Sequence, residues 1–357
     1  MKKTLWMLGV AVAALTSCTE SEVLDIPESR LISFDSHIDK TTRAATLIQQ
    51  PGAEVNDLNT FWVYGIEGTD NNIFNAQPVI YSGTGFSYTN PRTWNTGNTY
   101  NFAAYSNANN EASNTETSGG SKLESVTYAL NQTGGSKLTF TNYTVGRDDL
   151  LAAIVSPIGI NNEGSNIPQS VSLNFQHLLS CVRITLTNSS ETLYLKIADI
   201  TFNAIGTDDC EYELSNSSKT IKWSNMQLPA QAASLDKSYT FTDGEVYIAP
   251  GGVFQDMCFF IPQSNNIQIN ITAETYERTG TDPAFTYTKK STTIYPTTLA
   301  IIDTVNDGVD HTYWQPGYQY QYGANIGGTV HYIRFTATID NFDPHQAGIG
   351  GTNPTDN

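Results

Sequence analysis

Basic residues are scarce in this 357-residue chain, where 18 lysines and arginines stand against 35 aspartates and glutamates for a net charge of −17. A surface of that sign repels phosphate backbones, which excludes nucleic acid as a natural partner. Charge of either sign is thin at 15% of residues, with Thr, Ser and Asn filling the polar positions. Such a composition suits a β-rich extracellular protein with neutral loops better than a cytosolic enzyme. Histidine is limited to His37, His177, His311, His331 and His345, and no two have the i, i+4 spacing of a zinc-binding helix. Cysteine is limited to Cys18, Cys181, Cys210 and Cys258, with no close pair at metal-ligand spacing. The sequence has no G-x-S-x-G elbow and no phosphate-cradling glycine loop.

Two weaker signals of chemistry remain. "DTVNDGVD" at 303–310 shares Asp307-Gly308 with a calcium loop, but Val305 stands where a ligand is required and no Glu closes the loop. It reads as a solvated turn, so no metal and no cofactor is expected. The acidic pairs Asp148-Asp149 and Asp208-Asp209 would serve a glycosidase only if two carboxylates stood roughly 5–9.5 Å apart. In loops such pairs are usually hydrated, and the chain is read as a non-enzyme.

Long apolar runs are absent too. The longest, residues 5–15, follows Lys2 and Lys3 and precedes Leu-Thr-Ser-Cys at 15–18. It falls short of the roughly 20 residues a membrane span needs and has the layout of a secretory signal. The ending resembles the bacterial lipoprotein box, in which Cys18 would carry the lipid and become the first mature residue. On that expectation residues 1–17 are removed, leaving 16 basic and 35 acidic residues, a net −19. The mature protein is then soluble but tethered by its lipid. Three cysteines remain, so at least one is unpaired, and the spacing does not choose a disulfide.

Helical periodicity is nearly missing, whereas short alternating runs recur between Gly, Asn, Ser, Thr and Pro. Examples are "FWVYGI" from Phe61, "TYNFAAY" from Thr99, "VSLNF" from Val171, "CVRITL" from Cys181 and "IQINITAETY" from Ile267. Strands at this spacing predict an all-β chain of β-sandwiches, and its length predicts two domains. Residues 161–169 are the expected linker, and residues 106–122, with no apolar anchor, an expected surface excursion. Between Val171, Leu173, Phe175 and Val182, Ile184, Leu186 the apolar parity changes, which predicts a bulge or turn near His177. Nineteen tyrosines and five tryptophans would suit glycan platforms. Trp62, Trp94, Trp223 and Trp314 lie in or beside strands, however, where core packing is the commoner role.

One pattern occurs twice. In "LISFDSHI" from Leu31, the apolar Ile32, Phe34 and Ile38 share a face with Ser36, and Ser33, Asp35 and His37 face away. In "HYIRFTATID" from His331, Ile333, Phe335, Ala337 and Ile339 share one face. The first copy is followed by "DKTTRAAT", a polar loop in which Arg43-Ala44 is a trypsin-like cleavage site. Cutting there would free a strand whose two Ile and one Phe contribute about 5–9 kcal/mol of burial. A matching strand from another molecule would fit the groove left behind.

The leader ending at Cys18, the early strand and Thr-Arg-Ala at 42–44 resemble the fimbrillin family, subunits of type V pili. "RTWNTGNTYNFAAYS" from Arg92, "DDLLAAIVSP" from Asp148, "VYIAPGGVFQDMCFFIPQ" from Val246 and "YWQPGYQYQYGANI" from Tyr313 extend the resemblance over nearly the whole chain. The resemblance implies two tandem β-sandwich domains of transthyretin-like or Greek-key type, at 44–165 and 166–357, behind a signal at 1–17 and a propeptide at 18–43. It implies a lipoprotein precursor anchored in the outer membrane through Cys18 and cut by an Arg-specific protease between Arg43 and Ala44. It also implies a cell-surface fimbria of copies or related subunits that supports adhesion, with Ile333, Phe335, Ala337 and Ile339 on the donor strand. After that cut the chain holds 13 basic and 29 acidic residues, a net −16. Phe342 stands where the family pattern has a tryptophan. The alternative from another class is an outer-membrane glycan-binding lipoprotein that keeps its first strand.

Overall fold

The computed structural model describes residues 30–38, 58, 60–107, 121–131, 135–146, 148–224, 235–238, 247–264, 267–282, 284–299, 309–327 and 335–341. No α-helix occurs among them, and none is long and apolar enough to cross a membrane. The strands, in chain order, begin with β1 (Phe34–Ile38), β2 (Thr60–Glu67), β3 (Asn71–Tyr81), β4 (Phe86–Ser87) and β5 (Thr99–Ser106). Next come β6 (Ser125–Leu130), β7 (Ser136–Thr144), β8 (Leu151–Ile154), β9 (Ile158–Gly159) and β10 (Val171–His177). β11 (Ser180–Asn188), β12 (Tyr194–Ala204), β13 (Thr207–Ser215), β14 (Ser218–Trp223) and β15 (Leu235–Ser238) follow. The last are β16 (Val253–Phe260), β17 (Ile267–Thr281), β18 (Ala284–Leu299), β19 (Tyr318–Ile326) and β20 (Thr336–Asn341).

They form four sheets. The first has eight strands in the order β1-β10-β8-β5-β2-β3-β4, with β9 beside β5. The others have four strands each, β14-β13-β7-β6, β16-β11-β19-β20 and β15-β12-β17-β18. The protein is thus all-β with several sheets. Residues 161–169, expected to link two domains, instead join β9 and β10 within the first sheet. There Asn161 and Ser165 bond each other twice, Asn161 Nδ2 donating to Ser165 Oγ and Ser165 N to Asn161 Oδ1. The expected boundary between residues 165 and 166 falls inside that sheet, and β13, paired with β14 on one side, pairs with the earlier β7 on the other.

Two cores organise the molecule. The first draws on the first two sheets, with Phe61, Phe102, Phe140, Tyr212 and Trp223 in it; the second lies among the last two, with Ile184, Phe202, Phe260, Ile271 and Trp314. β11 touches both, because Cys181 belongs to the first core and Val182, Ile184 and Leu186 to the second. This accounts for the parity change. The strand breaks at Leu178-Leu179, and the chain passes between sheets that bury opposite faces. β2 is buried at all eight positions, the pattern of a strand covered on both sides. All four described tryptophans are core residues, none more than 2% exposed.

The first sheet curls. Phe61 on β2 meets Phe175 on β10 at 5.5 Å between ring centroids, although β8 and β5 lie between those strands. Gly65 makes room for the rings inside the curl, since a Cβ there would come within 2.7 Å of Phe74 and 3.1 Å of Phe102.

Candidate functional site

β1 closes the curled first sheet. It runs parallel to β10, in register from Phe34↔Val171 to Ile38↔Phe175, and Val171 N donates to Ser33 O at 2.8 Å. On its other side, just before β1, Ile32 N donates to Arg92 O at 2.8 Å and Trp94 N to Arg30 O at 2.9 Å. Tyr88, past the end of β4, donates its hydroxyl to Ile32 O at 2.6 Å. The segment is therefore clasped from both ends of the sheet.

Its side chains follow the sequence pattern where they are described. Ile32 is 1% exposed and Phe34 5%, while Asp35 is exposed. Phe34 sits among Phe74, Tyr88 and Phe102 with ring centroids 5.4, 5.7 and 5.8 Å away, in the edge-on and tilted geometries that aromatic quadrupoles favour. The side chain of Ile38, and Cys18, Arg43 and Ala44, lie outside the described residues.

The clasping loop at residues 92–98 is held by Glu67, the last residue of β2. Its Oε1 accepts from Asn95 Nδ2 and Asn98 Nδ2, both at 2.7 Å, and from the Tyr100 hydroxyl at 3.0 Å; Oε2 accepts from Asn71 Nδ2 at 2.7 Å. Burial by itself would raise the Glu67 carboxyl, but these hydrogen bonds together hold it below its ordinary value. A depressed folded-state pKa means stability that is present above the unfolded value, about 4.3, and lost as pH falls through the folded one. Glu67→Gln turns one acceptor into a donor facing donors. It is expected to cost about 1–3 kcal/mol at pH 7, and the gap from wild type should shrink in melts at pH 3. An equal gap at both pH values would rule out the ionised hub. Nothing in the sequence marked Glu67, which reads as an ordinary polar strand end.

The second patterned strand, β20, is the edge of the third sheet. It pairs antiparallel with β19 from Tyr318↔Asn341 to Gly323↔Thr336. Phe335 and Ala337 are half-buried against the second core, with the Phe335 ring 6.0 Å from that of Tyr322, whereas Thr336 and Thr338 are exposed. Ile333 and the side chain of Ile339 lie outside the described residues. The two strands are thus on separate sheets and are held unequally, β1 by deep burial and bonds on both flanks, β20 by one ladder and a shallow contact.

The other candidates fall elsewhere. Asp148 and Asp149, expected to be hydrated, are buried at 7% and 1% exposure, and Asp149 Oδ2 lies 2.5 Å from His177 Nδ1. Burial pushes the Asp149 carboxyl upward, and His177 beside it pulls the other way. Asp208 is buried and Asp209 exposed. The three described cysteines are buried and form no disulfide with one another. Among the described residues no cluster of His, Cys, Asp and Glu is arranged to hold a metal ion.

A fimbrillin-like family model matches residues 42–341. The chain belongs to the fimbrillin-like family. That family is structural and adhesive, not enzymatic, and its fimbrial nature implies the cell surface. Among solved structures, the chain is similar in fold to a fimbrial protein from Bacteroides vulgatus ATCC 8482, with a TM-score of 0.53 at 14% identity over 87% of this chain and 99% of that one. A protein from Bacteroides uniformis ATCC 8492, named as a candidate cell adhesion protein, aligns at 11% identity over 87% of this chain and 98% of that one, with a TM-score of 0.39. No curated protein matches the sequence.

Proposed function

We propose that this fimbrillin is a structural subunit of a type V pilus, assembled by protease-triggered strand exchange and supporting adhesion. It is built as two β-sandwich units in tandem. Export as a lipoprotein through Cys18 brings it to the outer membrane, and an Arg-specific protease cuts between Arg43 and Ala44. β1 then leaves, and the strand at 333–339 of another copy or a related subunit takes its place.

The observation that carries this reading is the position of β1. Among the described residues it joins β10 to the 92–94 loop, so its loss would open a groove lined by Phe74, Tyr88 and Phe102. Ile-x-Phe-x-small-x-Ile fits that groove in either copy, and the second copy sits on an edge that it can leave at small cost. The test is treatment of the purified precursor with an Arg-specific protease. Ladders of denaturation-resistant polymers are expected from the cut chain and none from the uncut. A chain cut between Arg43 and Ala44 that loses β1 and stays monomeric overturns the proposal.

A further inference from the structure

The fourth sheet runs out into a ribbon. β12 pairs with β17 only up to Tyr194↔Tyr276, whereas the β17–β18 ladder continues to Thr281↔Ala284. Past Tyr276 the hairpin has no third strand among the described residues, and rings gather at its base. Tyr287 stacks on Tyr247 with parallel planes and centroids 3.8 Å apart. Tyr194 presents itself edge-on to Tyr287 at 5.3 Å, and Tyr276 to Tyr247 at 4.9 Å. Arg278 lies over two rings, 4.7 Å from the centroid of Tyr194 and 4.2 Å from that of Phe285. Except for the buried Tyr276, all of these side chains are only partly buried.

The arginine is the anomaly. In a chain with a net charge of −17, a half-buried guanidinium ordinarily finds a carboxylate. Here the two glutamates on its own strand are engaged elsewhere. Glu274 pairs with Lys289 and accepts from the Tyr276 hydroxyl, and Glu277 pairs with Lys290. Among the described residues Arg278 makes no ion pair and no side-chain hydrogen bond, and the Tyr287 hydroxyl likewise has no partner. Contact with two rings restrains the arginine, so little side-chain freedom is left to lose on binding. Its five N–H donors suit a carboxylate, which it can grip bidentately.

We propose that this face binds a carboxylated sugar, a sialic or uronic acid residue at the exposed end of a glycan. The carboxylate pairs with Arg278, the apolar side of the sugar ring lies against the tyrosines, and the Tyr287 hydroxyl takes a ring substituent. An acidic peptide would satisfy the arginine but would bring no ring to lie against the partly buried Tyr287 beside it, which favours the sugar. The site is on the fourth sheet, apart from both exchanged strands, and does not rest on strand exchange.

The experiment titrates the secreted chain by calorimetry with N-acetylneuraminic acid and with glucuronic acid. Glucose serves as the neutral sugar, and acetate and an Asp-Glu peptide as carboxylates without the ring. At least one acidic sugar is expected to bind, with glucose, acetate and peptide weaker by about tenfold or more. Arg278→Gln should lose about tenfold or more of that affinity with an unchanged melting temperature. Arg278→Lys keeps the charge but not the fork and should recover only part. Should Arg278→Gln fail to fold, Arg278→Lys and Tyr287→Phe, which removes one hydroxyl, carry the test. No binding of either acid up to about 10 mM, or undiminished binding by the arginine variants, overturns the proposal. Equal binding of the peptide overturns it in favour of a protein carboxylate.

Discussion

Excision of β1 is expected to strip the protein of a large part of its stability. The clean comparison is made in a chain ended at Val330, so that no donor strand is present, before and after cutting at Arg43 and removing the released segment. Ile32 and Phe34 are almost fully buried, and each contributes about 1.5–3 kcal/mol. Their joint loss is then about 3–6 kcal/mol, an upper figure because the unfolded chain is itself partly collapsed. The backbone bonds to Arg92, to residue 94 and along β10 go with them. Set against a typical total of about 5–15 kcal/mol, this should lower the melting temperature on the order of 10 °C and expose apolar surface to dyes. A synthetic peptide covering residues 29–39 should restore the lost stability in proportion to its concentration, by mass action. A cut chain that melts where the uncut one does would mean that β1 is an ornament on a sheet that closes without it.

The second large effect concerns the other strand. Phe335→Asp is expected to abolish polymer ladders while leaving the monomer folded. The asymmetry follows from burial. In the monomer Phe335 is only half-buried at an edge, so water still reaches a carboxylate there and the cost is small. In the groove vacated by Phe34 the same carboxylate would lie among Phe74, Tyr88 and Phe102, and an unpaired charge in such a place costs several kcal/mol. Phe335→Leu, apolar and smaller, should keep polymerisation with reduced yield. Unaltered ladders from Phe335→Asp would exclude this strand as the donor and leave the acceptor argument standing.

Much of this was legible in the sequence because alternation is a local signal. The inward faces of β1 and β10 follow from period two, and the tryptophans went to the core as their place beside strands implied. What escaped was non-local. The parity change at 171–186 marked a bulge or turn near His177, and the strand does break at Leu178-Leu179, but the sequence cannot announce that β11 faces two cores. The boundary near residue 165 was placed at a polar stretch that turns out to turn within a sheet. Asp149 looked hydrated until β10 brought His177 against it. Glu67 was invisible because three of its four donors, Asn95, Asn98 and Tyr100, come from a distant stretch that meets it only in the folded sheet. β18 escaped because Lys289, Lys290 and Pro296, residues that guard open edges against stray pairing, break its apolar alternation.

The most direct test of the central claim is the N-terminus of the chain recovered from the cell surface, read by intact mass and terminal sequencing. The account predicts a start at Ala44, with residues 18–43 and hence β1 absent from the assembled subunit. A lipid-bearing Cys18 followed by an uncut chain in the assembled fraction would contradict it, because β1 would then still close the first sheet and no groove would exist to receive a neighbour's strand.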